Sequence, residues 1–360
     1  MQKWFAALFV LPVFISPVYA DSAMDRCVLS HLATSDDSVT VGEIRQMCVL
    51  QVSLQKQQEA SQPRQTEDAA VVQSSMADSK EMSLAEDGET IQTADGSALS
   101  RRLALEKSQT NNPFTFLPHR PNYFIFSNNT ASPNYDPFDA ADPNRDYSFQ
   151  PWESKFQISL KLPVVRGLFE DRADLFIAYT NRSFWQMFNS DNSAAFRDSN
   201  HEPEAWLSFA TDYELFGFKT SLINVGINHQ SNGQSGALSR SWNRVFAEFV
   251  VEKGNFYTGI RPWYRLSERS SNDDNPDIER YLGHFDITSV YKAGDHSFDV
   301  MLRNNLRGDN KGAVQLGWSF PLYKNFRGYV QWFNGYGESL IDYDHRSNSI
   351  GFGIQFSDWL

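Results

Sequence analysis

The chain has 360 residues, a formal net charge of −12 and a negative mean hydropathy, yet 14% of its residues are aromatic and 28 are Phe. The negative charge argues against a nucleic-acid partner, because phosphate recognition needs clustered Lys and Arg. After Ala20 no apolar run is long enough for a membrane-spanning helix, so any membrane-spanning part must be a β-barrel.

The first 20 residues are typical of a secretory signal peptide with cleavage after Ala20. They carry one basic residue, Lys3, then an apolar run from Trp4 to Val18 and a small residue at the end. A transmembrane anchor is the alternative. It is disfavoured because the run is short for a bilayer and contains Pro12 and Pro17.

An N-terminal extension follows, from residue 21 to residue 111. Its two cysteines, Cys27 and Cys48, would meet an oxidising compartment after export, so a disulfide and two free thiols are both open. Residues 24–55 are compatible with a short helical hairpin. Residues 51–111 contain no aromatic residue and are rich in Gln, Ser, Glu and Asp, a composition that buries too little apolar surface to offset the entropy of ordering. We therefore predict a largely disordered periplasmic extension.

From residue 112 to residue 360, apolar residues recur at every second position, as in strands with one apolar face. The predicted strand segments are 156–162, 175–179, 223–227, 245–251, 256–266, 278–290, 298–302, 314–318, 329–333 and 350–356. At about 20 residues per strand and turn, this region holds about 12 strands. A soluble β-sandwich would also alternate. The signal peptide, the aromatic excess and the apolar last strand favour an all-β fold, a transmembrane antiparallel β-barrel.

Three polar residues interrupt the predicted lipid-facing stripes near one turn. His229 and Ser231 share the parity of the apolar residues in 223–227, and Asn243 shares that of the apolar residues in 245–249. Polar groups that face lipid are costly and mark functional sites. A serine nucleophile needs an imidazole to take its proton, and the imidazole needs an orienting partner. The pattern predicts an acyl-transfer site with Ser231 as nucleophile, His229 as base and Asn243 as orienting amide. A surface polar cluster is the alternative.

Four blocks together resemble the outer-membrane phospholipase A family of Gram-negative bacteria. They are Asn228-His229-x-Ser231-Asn232-Gly233, the run 239–244 (Ser-Arg-Ser-Trp-Asn-Arg), the run 335–343 (Gly-Tyr-Gly-Glu-Ser-Leu-Ile-Asp-Tyr) and Asn112-Pro113-Phe114-Thr115. The resemblance implies a twelve-stranded barrel in the outer membrane. It also implies a calcium-dependent phospholipase that hydrolyses sn-1 and sn-2 acyl esters and lysophospholipids, and that is active as a homodimer.

The resemblance assigns roles to individual residues. The family triad falls on His229, Ser231 and Asn243, matching the assignment from strand parity. Ca²⁺ would be bound by the Ser239 hydroxyl and the Gln234 carbonyl, with Ser193 contributed by the partner subunit. An amide near Ser231 or Gly233, with calcium-bound water, would form the oxyanion hole. Asn181 would lie in the dimer contact, or alternatively at the level of the lipid headgroups.

The sequence departs from the family pattern at three of these positions. Gln234 stands where the family has Arg, which leaves a main-chain oxygen ligand available to Ca²⁺. Gln230 stands where Asp is usual and is expected to remove a charge near the site. Asn181 replaces a glutamine, so a shorter side chain would make the dimer contact.

Other functions remain open at this point. A porin-like or structural barrel without activity is the main alternative, and the extension is open to binding a periplasmic partner. The histidines outside the triad, among them His119 and His201, lack metal-ligand spacing and are expected to be solvated or lumen-facing. The acidic pair Asp273-Asp274 is expected in a solvated loop.

Overall fold

A computed structural model describes residues 96–109, 115–191, 193–271, 273–323 and 326–360, together with Ser30, His31 and Cys48. The predicted signal peptide, Cys27, most of the extension and residues 110–114 lie outside the described residues. Cys48 is buried and disulfide-bonded. The elements named below belong to the second of two units, Gly88–Leu360.

Twelve strands, β2 to β13, form one closed antiparallel sheet, and a short strand β1 pairs with β3. The strands are β1 (Leu117–Pro118), β2 (Asn122–Asn129), β3 (Trp152–Gly167), β4 (Ala173–Trp185), β5 (Phe196–Leu215), β6 (Phe218–Ser231), β7 (Ser241–Lys253), β8 (Phe256–Leu266), β9 (Phe285–Ala293), β10 (His296–Asn304), β11 (Gly312–Tyr323), β12 (Phe326–Tyr336) and β13 (Arg346–Ser357). From β2 onward each strand pairs with the next along the chain, and β13 pairs with β2. This pairing closes the sheet on itself, and it confirms the prediction of a barrel of about 12 strands.

The barrel exposes apolar side chains and buries polar ones. The outward-facing apolar side chains include Ile158, Leu160, Ile177, Tyr179, Val225, Ile227, Val245, Phe249, Ile350, Phe352 and Ile354. The buried polar side chains of the interior include Lys155, Gln157, Ser159, Thr180, Glu202, Glu204, Asn224, Asn228 and Arg244. This distribution is the one that a membrane barrel requires, since lipid surrounds the outer face of every strand.

Several interior charges are paired across the barrel. Arg120 donates to Glu202 Oε2 at 2.8 Å and to Glu204 Oε2 at 2.8 Å, and His119 Nε2 lies 2.9 Å from Glu204 Oε2. A buried charge without a partner is costly, so each ion pair removes a penalty that a polar interior would otherwise incur. The lumen is therefore filled by bridging side chains.

The described residues of this unit also form four short helices. They are α1 (Ala98–Gln109), α2 (Asp136–Ala141), α3 (Leu168–Asp171) and α4 (Ile278–Leu282). Among the described residues, no helix is long and apolar enough to cross a bilayer.

Residues Ala98–Gln109 form helix α1, although the sequence predicts that they belong to a disordered extension. Its Leu99 and Leu103 pack in a cluster with Val250 and Trp359, and Glu106 pairs with Lys161 at 2.8 Å. The prediction of disorder up to residue 111 is therefore wrong for Ala98–Gln109. Composition averaged over 61 residues concealed two leucines one turn apart.

Two further differences concern strands. The segment 278–290 is not one strand, because Ile278–Leu282 forms α4, whose Ile278 and Leu282 are buried against Trp263. Alternation of apolar residues also fails to reveal β5. The inward positions of β5 carry Asp198, Asn200, Glu202 and Glu204, and Pro203 interrupts its outward face.

The loop between β12 and β13, residues 337–345, folds into the mouth of the barrel. Glu338 accepts hydrogen bonds from Lys155 Nζ at 3.0 Å and from Ser349 Oγ at 2.5 Å. Asp342 pairs with Arg197 Nη1 at 2.5 Å and accepts from Ser339 Oγ at 2.7 Å. These buried contacts close the same end of the barrel that carries the β6–β7 loop.

Candidate active site

The β6–β7 hairpin carries the three predicted catalytic residues. In the register of these strands His229 lies opposite Asn243, and Ser231 lies opposite Ser241. His229 Nδ1 is 2.8 Å from Asn243 Oδ1. An amide oxygen only accepts, so this contact assigns the ring proton to Nδ1 and leaves Nε2 as an acceptor.

Ser231 lies on the same outward face as His229, two residues further along β6. Successive side chains of a strand point to opposite faces, so residues two apart share one face. The described contacts include no hydrogen bond between Ser231 and His229. In enzymes without substrate, such a contact is often loose and tightens when substrate binds.

Asn232 holds the loop that connects the two strands. Its backbone N–H donates to the Arg240 carbonyl at 3.0 Å, its Nδ2 donates to the Leu238 carbonyl at 2.8 Å, and its Oδ1 accepts from Arg240 N at 3.0 Å. The loop between these anchors contains a 3₁₀ turn, Gly236–Leu238, and Gly233 at φ +66°. Asn232 thus fixes the conformation of the segment that supplies the predicted oxyanion and calcium groups.

We expect Asn232→Ala to lower kcat for ester hydrolysis by about 10-fold, because it leaves half-buried loop groups unpaired and releases the loop. The matched control is Asn305→Ala. Asn305 holds a different loop in the same way, through the Arg280 carbonyl at 2.7 Å and Lys311 N at 3.0 Å. Steady-state kinetics should show a lower kcat for Asn232→Ala and an unchanged kcat for Asn305→Ala. Equal losses of kcat in both variants would refute a local effect.

The two predicted oxyanion candidates differ in their surroundings. Ser231 is the last residue of β6 and its backbone lies in the sheet, whereas Gly233 follows in the loop. Among the described residues, the Gly233 N–H makes no hydrogen bond. A free amide beside the nucleophile favours Gly233 as the donor to a tetrahedral oxyanion.

A second loop, between β8 and α4, contacts the first one. Ser239 Oγ donates to Asp274 Oδ2 at 2.6 Å, and Ser241 N donates to Asn275 Oδ1 at 2.9 Å. Asp274 is exposed, as expected for a solvated loop, but it brings a carboxylate to a predicted calcium ligand. No pattern within the β6–β7 segment reveals this contact, because Ser239 and Asp274 lie 35 positions apart.

The three predicted calcium residues lie on two loops. Ser239 and Gln234 belong to the β6–β7 loop, and Gln234 is exposed. Ser193 is exposed on the β4–β5 loop at φ +55°, and no described contact joins it to Ser239 within one chain. No group of three His, Cys, Asp or Glu side chains suited to a metal occurs in the described part of the chain. A calcium site at Ser239 would therefore rely mainly on hydroxyl and carbonyl oxygens, with the Asp274 carboxylate beside them.

Gln230 lies on the inner face, away from the catalytic residues. Its Oε1 accepts from Trp242 Nε1 at 2.9 Å, and the Arg244 guanidinium stacks over the Trp242 ring at 4.0 Å. This differs from the expectation that Gln230 alters the charge beside Ser231, because the sheet separates the two side chains. The replacement acts on the lumen instead.

His201 flanks the nucleophile from the other side, contrary to the expectation of a solvated or lumen-facing side chain. It is the β5 partner of Ser231 in the sheet, and its Nδ1 lies 2.6 Å from the Tyr179 hydroxyl. Asn181 Nδ2 lies 3.4 Å from the same nitrogen. Asn181 keeps the outward parity that was predicted, and its assignment to a dimer contact stays a prediction.

Arg240 links the site to the loop that fills the barrel mouth. Its guanidinium lies 5.6 Å from the centre of the Tyr343 ring, and the Tyr343 hydroxyl donates to Asp277 at 2.7 Å. Burial, followed by the hydrogen bond to Asp277, raises the pKa of Tyr343 above its ordinary value. The hydroxyl therefore stays protonated and keeps donating at neutral pH.

Comparison with known proteins decides the family. The family model "Phospholipase A1" matches residues 99–356. The chain belongs to the phospholipase A1 family. Curated relatives include phospholipase A1 of Klebsiella pneumoniae, 39% identical over 69% of this chain and 84% of its own length. Phospholipase A1 of Escherichia coli K12 is 38% identical over 69% of this chain and 83% of its own length.

Solved structures of phospholipase A1 relatives share the fold. The outer membrane phospholipase A of Escherichia coli aligns at a TM-score of 0.64 with 36% identity, covering 69% of this chain and all of its own. The Salmonella typhi enzyme, described as a dimer with bound calcium, aligns at 0.65 with 35% identity, covering 70% of this chain and 96% of its own. The family resemblance is confirmed, and the chain is an outer-membrane β-barrel of this phospholipase A1 family.

Proposed function

We propose that the protein is a calcium-dependent phospholipase that hydrolyses sn-1 and sn-2 acyl esters of phospholipids, and also lysophospholipids, as a homodimer. The observation that carries this proposal is the 2.8 Å contact between His229 Nδ1 and Asn243 Oδ1, with Ser231 on the same lipid-facing surface. Family membership supports the reaction class, and a related solved structure is described as a dimer with bound calcium.

The reaction follows from these three side chains. Ser231 Oγ attacks the ester carbonyl carbon while His229 Nε2 takes the hydroxyl proton, and Asn243 holds the imidazolium through Nδ1–H. The Gly233 amide stabilises the oxyanion. Collapse breaks the ester bond, and His229 protonates the departing glycerol oxygen. Water, deprotonated by His229, then attacks the acyl-serine carbonyl carbon. His229 returns the proton to Ser231 Oγ as the ester bond breaks and the fatty acid is released.

The residues present fit a calcium ion. The Ser239 hydroxyl and the Gln234 carbonyl are hard oxygen donors, and the Asp274 carboxylate at 2.6 Å from Ser239 Oγ adds negative charge. The partner subunit's Ser193 would complete the set. Bound Ca²⁺ would supply positive charge that stabilises the oxyanion.

The orientation of the barrel supports a site in the outer leaflet. Short turns of the barrel, such as those at Gly254 and Gly294, lie at the end where α1 packs, and the longer loops lie at the end that carries Ser231. In outer-membrane barrels short turns face the periplasm and long loops face outward. On this orientation we propose that α1 and the extension before it lie on the periplasmic side, and that external phospholipid can reach the site.

We expect hydrolysis of a long-chain phospholipid in mixed micelles to require Ca²⁺ and to stop with a chelator. Asp274→Asn should raise the Ca²⁺ concentration for half-maximal activity about 10-fold, because one carboxylate is neutralised. Asp309→Asn is the control, since Asp309 is a loop carboxylate paired with Arg280 at 2.8 Å outside the site. Activity that is indifferent to chelator would refute the calcium dependence.

The porin-like alternative has an observable signature of its own. It predicts single-channel conductance in planar bilayers and no ester hydrolysis by the folded, calcium-loaded dimer. The ion pairs of Arg120 across the lumen and the inward fold of residues 337–345 favour the enzyme, because they fill the space that a pore would need.

A further inference from the structure

Resting on the proposed function, we propose that Glu268 is a positioning residue that extends the triad to four residues, Ser231–His229–Asn243–Glu268. The amide of Asn243 bridges the side chains of His229 and Glu268. Its Oδ1 lies 2.8 Å from His229 Nδ1, and its Nδ2 donates to Glu268 Oε1 at 3.0 Å. Glu268 would thus act on the imidazole through the amide, without touching substrate.

The first consequence concerns the orientation of the amide. An asparagine side chain has an acceptor end and a donor end, and a rotation of 180° exchanges them. A carboxylate only accepts, so Glu268 requires the donor end of Asn243 to face it. The acceptor end then faces His229, which keeps the ring proton on Nδ1 and the lone pair of Nε2 toward the serine.

The second consequence concerns charge. Asn243 orients the ring without a negative charge to stabilise the imidazolium that forms during attack. The carboxylate of Glu268 supplies that charge one hydrogen bond further out, and it polarises the bridging amide. Within the described residues no cationic side chain pairs with Glu268, so its charge is not cancelled locally.

The position of Glu268 follows from the strand register. Asn243 lies opposite Leu266, the last residue of β8. Glu268 comes two residues later and is half-buried, so it stays on the outward side where the catalytic residues are. No local sequence pattern predicts this contact, because it joins residues 25 positions apart.

Kinetics of two substitutions separate orientation from charge. Glu268→Ala removes the acceptor, and we expect kcat to fall about 10- to 30-fold with KM unchanged. Glu268→Gln keeps an acceptor oxygen without the charge, and we expect a smaller fall of about 3- to 10-fold. Glu279→Gln is the matched control, because Glu279 is a carboxylate on neighbouring α4 that contacts His284 at 3.2 Å.

A double-variant comparison tests the bridge directly. Asn243→Asp alone sets two carboxylates against each other, so activity should fall at least about 10-fold. Adding Glu268→Gln supplies an amide donor to the new carboxylate, and most of the loss should be recovered. A structural role for Glu268 predicts no such recovery.

The outcomes distinguish this inference from the proposed function. Wild-type protein and Ser231→Ala are assayed beside the variants. If the wild type hydrolyses no phospholipid, the proposed function fails. If Ser231-dependent hydrolysis is present, and either Glu268→Ala leaves kcat unchanged or the Asn243→Asp loss is equal with Glu and Gln at position 268, the role of Glu268 alone is overturned.

Discussion

Replacement of Ser231 by Ala is expected to lower kcat for phospholipid hydrolysis by about 10⁴-fold or more. The change removes only the Oγ atom, and Ser231 is half-buried on the outer face, so the barrel should fold as before. Without the hydroxyl no acyl-serine forms, and His229 and Asn243 have no proton transfer to support. Release of fatty acid from mixed micelles with Ca²⁺ measures the loss, and electrophoretic mobility of unheated protein reports folding.

The control is Ser241→Ala, because Ser241 is the β7 residue directly opposite Ser231. It tests whether loss of any outward hydroxyl at this point of the sheet has the same effect. We expect a change within about threefold. If Ser231→Ala keeps activity and Ser241→Ala loses it, the nucleophile has been assigned to the wrong strand.

A second large effect is expected on stability. Lys155→Met should lower the free energy of unfolding by about 3 kcal/mol, because it leaves the buried Glu338 carboxylate without its cation. Lys155 Nζ donates to Glu338 Oε1 at 3.0 Å and to Gln331 Oε1 at 2.7 Å, and both charged side chains are buried. Urea unfolding in detergent micelles, followed by Trp fluorescence, measures the change.

Two further variants identify the cause of that loss. Adding Glu338→Gln to Lys155→Met removes the uncompensated charge and should recover more than half of the stability. Arg280→Met breaks an exposed ion pair with Asp309 and should cost less than about 1 kcal/mol. If Lys155→Met and Arg280→Met lower the free energy of unfolding equally, burial of the Lys155–Glu338 pair does not increase its contribution to stability.

The sequence predicts the catalytic hairpin because its parts are close in the chain. His229, Ser231 and Asn243 lie within 15 residues, and strand parity alone places them on one face. The partners from β5 and from the loop after β8 are different. His201, Glu268 and Asp274 meet the hairpin only through strand register and loop packing, which no local pattern encodes.

The same distinction explains the successes and errors in the fold. Alternation finds strands whose outer face carries a continuous apolar stripe, as at residues 223–227 of β6 and 245–251 of β7. It fails for β5, where Pro203 interrupts the outward stripe. It also fails for α1, because the leucines of this helix pack against Val250 and Trp359, which are distant in the sequence.

Adjacent residues of β6 point to opposite faces of the barrel wall, so the strand tolerates substitutions and deletions differently. His229 and Ser231 face lipid, whereas Asn228 and Gln230 face the lumen network. Deleting one residue early in β6 would shift the register of the strand by one position. The residues that face lipid and the residues that face the lumen would then exchange faces. Catalytic groups would then be locked inside, and lumen amides would be stranded in lipid. A substitution in this strand therefore changes only one face of the sheet, whereas an insertion or deletion of one residue disrupts both faces.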